Sequence, residues 1–470
     1  MLPNTAEVLE SYDFTRRIGT ADVVMEPVGV SALFVPWNSI AGTMCSKLAS
    51  AIAAGCASVI KPSEFSPLQT QVVAEAMNDA GLPAGIFNIL IGRGGDVGDE
   101  LSTSPDVTKI SFTGSTQTGK IIARAGMETM KRVSLALTGK SASLLLDDAD
   151  FAAAIPLAVG AAFMNNGQAC VAGTRLLVPR ARRDDVIDLL RKTVAAIQVG
   201  DPGNPSTTIG PMATKAQYER IQRYIRLGLE QGATLVTGGE GRPQGLDLGY
   251  FVKPTVFADV SNDMDIARDE IFGPVLSVIS YEDEDDAIRI ANDSVYGLQA
   301  YVFSSEHDRA RRVASRLEAG TVLINRISPD LLAPFGGFKQ SGVGREFGIF
   351  GLEAFLEAKT SVSPLIPVRR EIRHPKHSHH RGGTGQWPTS ANTMSAKPGA
   401  VLSRFQSRCS SQASWIQLMG MPPAWVMRCS PARWASRDVP PTASTTTWEK
   451  VSGTNGTYLR PFAPGSSPVS

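Results

Sequence analysis

The sequence predicts an α/β fold of two parallel-sheet lobes, with a small pairing element and a carboxy-terminal tail that lacks a core. Three observations carry this reading. Short β-rich runs alternate with amphipathic helical stretches from about residue 28 onward, glycines punctuate the helical stretches, and the alternation stops after about Thr360.

In chain order, VGVSALFVP (28–36) is a strand and residues 40–54 a helix stopped by Gly55. ASVIKPS (57–63) is the next strand, 68–79 a helix ended by Gly81 and Pro83, and IFNILIG (86–92) and VTKISFTG (107–114) are strands. The second lobe opens with a long apolar helix at 151–164, then a strand TRLLVPR (174–180) and a helix at 184–197. Residues 215–239 read as helix, glycine cap and strand; VLSVISY (275–281), AYVFS (300–304) and GTVLIN (320–325) are strands separated by helical segments. No internal repeat is visible.

Charge divides the chain in two. Residues 361–470 carry +10 and residues 1–360 carry −9, although the whole chain stands at +1. An acidic body argues against nucleic acid as partner. The tail holds 13 of the 30 prolines and 5 of the 6 tryptophans with no sustained period, a composition that builds no core and leaves disorder as the default. Its HPKHSHH stretch (His374, His377, His379, His380) has no cysteine or carboxylate partner nearby, so it reads as solvated and no metal is expected. No apolar run approaches the length of a membrane span, and no secretory signal opens the chain. Five cysteines are too sparse for a disulfide framework, which points to a reducing cytoplasm.

Candidate chemistry gathers at strand ends. Cys170, in FMNNGQACVAG, lies where an apolar helix gives way to a small-residue turn, a setting that suits an exposed nucleophilic thiol or, equally, a small buried hydrophobe. Asn38 ends VPWN, where its amide could stabilise an oxyanion or serve as a turn residue before the helix. Lys61 and Glu64 of KPSE could grip a sugar's hydroxyls. Glycines of GRGGDVG mark a tight turn, and Ser115 of FTGSTQTGK stands at a strand-to-helix junction that favours phosphate or needs a cap.

In their order and spacing, VPWN, KPSE, GRGGDVG, FTGSTQTG, NNGQAC, EIFGPV and PFGGFKQSGVGRE resemble the aldehyde dehydrogenase superfamily across roughly residues 25–360. The resemblance implies a Rossmann-like cofactor domain at 28–138, a catalytic domain at 139–345, an entry segment at 1–27 and a return strand at 346–365 used in subunit pairing. The basic tail is then 366–470. It implies Cys170 as nucleophile, with Asn38 and the Cys170 N–H as oxyanion hole. Lys61 and Glu64 would bind the adenosine ribose. Pro36, Trp37, Gly94, Gly98, Phe112, Gly114 and Ser115 would line the dinucleotide, and Glu270 and Phe272 the nicotinamide end. NAD is the expected cofactor, NADP a possible one, a small-molecule aldehyde the substrate, and a homo-oligomer the assembly if the pairing strands are intact.

Three departures stand out. In KRVSLALTGKS, Ala136 occupies the position where the family has a water-activating glutamate, and Thr138 replaces a glycine. The match starts near the chain's first residue, so part of the cofactor sheet's covering is expected to be missing, and the tail is atypical. Alternative outcomes implied by Ala136 are acyl transfer to a thiol such as coenzyme A, or a nucleotide-binding relative with impaired turnover.

Overall fold

The computed structural model describes residues 2–363, 426–427, 448–453 and 456–461. The chain opens with α1 (Leu2–Ser11) and the hairpin β1 (Thr15–Ile18) and β2 (Ala21–Pro27). The first lobe follows with β3 (Val30–Val35), α2 (Ile40–Ala53), β4 (Ala57–Pro62), α3 (Pro67–Asp79), β5 (Phe87–Leu90), α4 (Asp99–Thr103), β6 (Lys109–Thr113), α5 (Thr116–Met127) and β7 (Arg132–Ala136). Every residue of β3 and β4 is buried, the signature of parallel strands covered on both faces. Gly55 and Gly81 take positive φ (82° and 81°) directly after α2 and α3, which ends each helix with a conformation a side chain disfavours.

The second lobe runs through β8 (Ala142–Leu145), α6 (Phe151–Phe163), β9 (Arg175–Pro179), α7 (Arg183–Ala195), α8 (Lys215–Glu230), β10 (Thr234–Thr237), β11 (Thr255–Ala258), α9 (Asp265–Arg268), β12 (Val275–Tyr281), α10 (Glu284–Asn292), β13 (Tyr296–Gly297), β14 (Gln299–Phe303), α11 (His307–Ser315) and β15 (Thr321–Ile324). The chain then returns to the first lobe through β16 (Phe338–Lys339), β17 (Gly342–Val343), α12 (Gly348–Glu353) and β18 (Leu356–Val362). Strands β7 and β8, which flank the LALTGKS segment, carry too little alternation to stand out in the sequence.

The first sheet has the order β17-β7-β6-β3-β4-β5-β19, where β19 is Val426–Met427. From β7 to β5 all pairs are parallel. The chain proceeds from β3 outward to β4 and β5, then crosses back to β6 and β7 on the other side of β3. That reversal opens a crevice at the carboxyl ends of β3 and β6, the place where open α/β sheets bind ligands. The second sheet, β10-β11-β12-β9-β8-β14-β15, is parallel except for its β10 edge. Two α/β lobes are thus present as expected. β18 pairs antiparallel with β2 along its whole length and forms the outer strand of a three-stranded sheet with β1 on the far side.

Within the segment expected to lack order, the described residues form strands. β19 pairs antiparallel with β5, and β20 (Trp448–Gly453) with β21 (Gly456–Pro461) makes a hairpin in a separate unit, Ser430–Ser470. Trp448, Val451 and Tyr458 supply the aromatic and β-branched content that a short hairpin needs. The HPKHSHH histidines lie outside the described residues, as do Cys409 and Cys429. Among the described residues no group of histidine, cysteine and carboxylate side chains could hold a metal, the three cysteines are free, and no helix is long and apolar enough to cross a membrane.

Candidate active site

The Cys170 loop is built by residues that abandon helical geometry in succession. After α6, Asn165, Asn166 and Gly167 all adopt positive φ (50°, 61° and 72°). Asparagine tolerates this region because its side chain can replace lost backbone hydrogen bonds, and both asparagines do so. Asn165 Nδ2 donates to the Asn38 carbonyl at 2.9 Å and the Gln168 carbonyl at 3.1 Å. Asn166 Nδ2 donates to Pro211 O, and its Oδ1 accepts from Gly210 N–H. A Cβ on Gly167 would lie 2.2 Å from the Gly273 carbonyl carbon, so glycine alone lets the loop approach the EIFGPV segment. Tyr301 of β14 closes the other side, its hydroxyl donating to Val171 O at 2.9 Å.

Asn38 comes from the opposite lobe. It does not cap α2, since Ser39 holds that position without a side-chain cap bond. Its Nδ2 donates instead to the Gln168 carbonyl at 2.9 Å, two residues before Cys170, with one N–H left for a further acceptor. The Asn38 amide therefore meets the Cys170 loop across the lobe boundary.

Burial of the sulfur, reinforced by the neighbouring Glu270 carboxylate, pushes the Cys170 thiol up to about 12. A raised thiol carries less thiolate at neutral pH and reacts more slowly. Iodoacetamide should label Cys170 far more slowly than a free cysteine, and Glu270→Gln should speed labelling above pH 7 by removing the nearby negative charge. Equal labelling rates for both proteins, followed by mass spectrometry across pH 6–9, would show that the carboxylate does not govern the thiol.

Glu270 is held at both its side chain and its main chain. The Gly139 N–H donates to Glu270 Oε1 at 3.2 Å, and Arg220 Nη2 donates to the Glu270 carbonyl at 2.5 Å. Gln217 Nε2 donates to the Ile271 and Phe272 carbonyls at 3.0 and 2.8 Å, which anchors Phe272 at a φ of 63°. Desolvation raises the Glu270 carboxyl to about 7 against the opposing effects of Gly139, Lys140, Arg220 and Thr138. Phe272 meets the Trp37 ring edge-on at 5.4 Å, joining the two lobes over the crevice.

The remaining positions divide by surroundings. Pro36 follows β3 at the rim. Lys61 is 5% exposed at the end of β4, with Nζ donating to Pro62 O and standing 3.8 Å from the Glu64 carboxylate, which is exposed. A Cβ on Gly98 would touch Phe34 and the Lys61 stem, whereas one on Gly94 would meet nothing within 4 Å. Phe112 belongs to the sheet core, and its ring lies so close beneath Gly114 that a Cβ there would come within 2.5 Å. Ser115 caps α5, its hydroxyl accepting from Thr118 N–H at 3.2 Å.

Ala136 is 3% exposed at the end of β7, paired in register with Thr113 and Gly342. Sequence reasoning did not anticipate Gly139, Gln217, Arg220, Asn165 or Tyr301 as parts of the site. Each bond uses a backbone atom, either the residue's own amide (Gly139) or a carbonyl of another segment, which leaves no motif of its own.

A thiol loop at the junction of two α/β lobes, an amide donor reaching that loop from the other lobe and a crevice at the strand ends point to the class of nucleotide-linked oxidoreductases. The chain belongs to the aldehyde dehydrogenase family, whose model, described as "Aldehyde dehydrogenase family", matches residues 5–361. It is 48% identical over 354 residues to a 3-succinoylsemialdehyde-pyridine dehydrogenase of a Pseudomonas species, covering 75% of this chain and 74% of that protein. Among solved structures, a Cys→Ala variant of aldehyde dehydrogenase C from Pseudomonas syringae, complexed with NAD+ and octanal, matches with a TM-score of 0.75 at 47% identity. That match covers 77% of this chain and 74% of the other. The NAD+ complex of a Mycobacterium tuberculosis aldehyde dehydrogenase matches with a TM-score of 0.75 at 41% identity, covering 77% and 76%.

Proposed function

We propose that this chain oxidises an aldehyde to its carboxylic acid with NAD as acceptor, by way of a thiohemiacetal and then a thioacyl group on Cys170. The observation that carries the reading is the Asn38 amide bonded into the Cys170 loop at the Gln168 carbonyl, with one N–H left for a further acceptor. Cys170 sulfur adds to the aldehyde carbon, and the developing oxyanion accepts from Asn38 Nδ2 and the Cys170 N–H.

The residues present fit a dinucleotide. Gly114 admits no side chain above the Phe112 ring, Gly98 lies beside the Lys61 stem, and Lys61 and Glu64 stand at the adjoining strand end. When bound, NAD supplies the hydride acceptor that converts the thiohemiacetal to a thioester. Trp37 and Phe272 exclude water from that end of the crevice, and Glu270 and Lys61 offer polar contacts for the riboses.

The test is NADH formation by purified protein, with octanal as a first substrate because the P. syringae complex holds it. Steady production without added thiol supports release by water; production only with coenzyme A redirects the acyl group to a thiol; no NADH with any of a panel of aldehydes overturns the reading.

Glu64 sets the cofactor preference. Its carboxylate can accept from both ribose hydroxyls, whereas a 2′-phosphate there meets like charge, a cost of about 1–3 kcal/mol that corresponds to roughly 5- to 150-fold in kcat/KM. NAD should therefore be preferred over NADP by a factor in that range, and Glu64→Gln should narrow it. Equal kcat/KM values for the two cofactors would remove Glu64 from this role.

Among the described residues β18 has a strand partner on one side only, which supports pairing of its other edge with a second copy of this chain. Sedimentation should show a dimer or larger species, and a monomer at micromolar concentration would exclude it.

A further inference from the structure

The two departures from the family pattern, Ala136 and Thr138, lie two residues apart in one segment, and the structure connects the second to Glu270. Thr138 Oγ1 accepts from Thr116 N–H at 3.2 Å, so the hydroxyl proton is free to be donated elsewhere. The Thr138 side chain is one of the groups that favour the ionised Glu270 carboxyl against its burial. The backbone of Thr138 is fixed as well, its carbonyl accepting from Ser341 Oγ at 2.6 Å. The next residue, Gly139, touches both chemical partners: its N–H donates to Glu270 Oε1 at 3.2 Å, and its α-carbon is so close to the Cys170 carbonyl that an added Cβ would stand 2.2 Å from that oxygen. The carboxyl of Glu270 is thus held one peptide away from the nucleophile's own main chain.

We propose that Glu270, held by the Gly139 amide and the Thr138 hydroxyl beside the Cys170 loop, is the base that activates water for release of the acyl group, and that Thr138 is the residue that positions it. The proposal rests on the thioacyl-enzyme of the preceding section. Ala136 has no proton acceptor, and a base is typically worth about 10²–10⁴-fold in such a step. A water proton passes to the Glu270 carboxylate as the water oxygen bonds to the acyl carbon. The carbon–sulfur bond then breaks, its electron pair returns to Cys170 sulfur, and Glu270 gives the proton back to that sulfur. The products are the carboxylic acid and the free thiol, with no further reactant consumed.

The charged and titratable groups facing this carboxyl are Lys140 beside Gly139, Arg220 from α8, Tyr296 at β13 and Cys170 itself. Burial brings Glu270 up to about 7, where the fraction of carboxylate still rises across the neutral range. Activity that depends on the base should climb with pH through that region and level off above it. Loss of the Thr138 donor, which favours the carboxylate, should move the midpoint upward.

An acyl-enzyme formed without any dinucleotide isolates this step from cofactor binding. Full-length apo protein is mixed with p-nitrophenyl acetate. The initial burst of p-nitrophenolate counts acetylation of Cys170, confirmed by intact mass, and the later steady rate reports deacylation. Glu270→Gln should keep a burst of one per site and slow the steady phase about 100-fold. Thr138→Val should keep the burst, slow the steady phase roughly tenfold and raise its pH midpoint, while Thr138→Ser restores both. A full burst in each variant also verifies that it is folded. If the unsubstituted protein gives no Cys170-dependent burst, the thioacyl reading fails and the base falls with it. A full burst followed by an unslowed steady phase in Glu270→Gln overturns the base alone, and equal loss in Thr138→Ser and Thr138→Val overturns the positioning role of the hydroxyl.

Discussion

Cys170→Ser is expected to leave NAD affinity within about twofold of the unsubstituted protein and to reduce aldehyde-dependent NADH formation at least about 10³-fold, with the initial burst lost. A serine hydroxyl is a far weaker nucleophile than a thiol at neutral pH, and no general base hydrogen-bonds the position to compensate. Its surroundings make matters worse for an alkoxide, since they already hold the more acidic thiol at about 12. Cofactor binding should survive because Lys61, Gly98 and Gly114 belong to the other lobe, and the Cys170 loop is tied to that crevice's first strand end at Asn38, by the Asn38–Gln168 and Asn165–Asn38 bonds. Rapid mixing for the burst and fluorescence titration for NAD distinguish the two effects. A serine variant with undiminished dehydrogenase activity would show that Cys170 is not the nucleophile.

Gly139→Ala should produce the second large loss. The new Cβ would stand 2.2 Å from the Cys170 carbonyl oxygen and 3.2 Å from the Leu298 Cβ. The first neighbour is backbone, so relief requires moving the nucleophile loop rather than rotating a side chain. Displacement of a reacting group by about 1 Å can cost about 10²-fold in rate, and overpacking of this kind costs about 1–3 kcal/mol in stability. kcat/KM should fall by that order while the Tm drops by a few degrees. A variant that keeps both would mean the loop has slack that the packing around Gly139, Gly167 and Tyr301 does not indicate.

Much of the fold was legible because its signals are local. Gly55 and Gly81 mark helix ends, and the buried runs of β3 and β4 read as strands, since period and composition do not depend on partners. The segment around Ala136 was harder. Arg132–Ala136 and Ala142–Leu145 are strands whose sequence lacks alternation, and their identity comes from neighbours on both sides of each sheet.

The candidate site divides in the same way. Cys170 and Asn38 were candidates from residue type, position and the motifs around them, and in the structure the Asn38 amide donates to the Gln168 carbonyl of the Cys170 loop. Phe112 and Ser115 had chemistry-bearing motifs around them, yet one ring lies in the core beneath Gly114 and the hydroxyl caps α5. The absence of a carboxylate at Ala136 was plain in the sequence, whereas the tie from Thr138 to Glu270 was not, because 132 positions separate them along the chain.

By itself the sequence determined the lobe architecture, the order of the motifs and the residue types available for chemistry, all of which are set by local period and side-chain identity. Only the tertiary structure decided which of those residues meet. The contacts that shape the site are made by backbone groups: the Gly139 amide on Glu270, the Gly139 α-carbon against Cys170 and the Gln168 carbonyl on Asn38. Every residue carries the same amide and carbonyl, so their pairing leaves no trace in residue type and is fixed when the two sheets pack and bring their loops together.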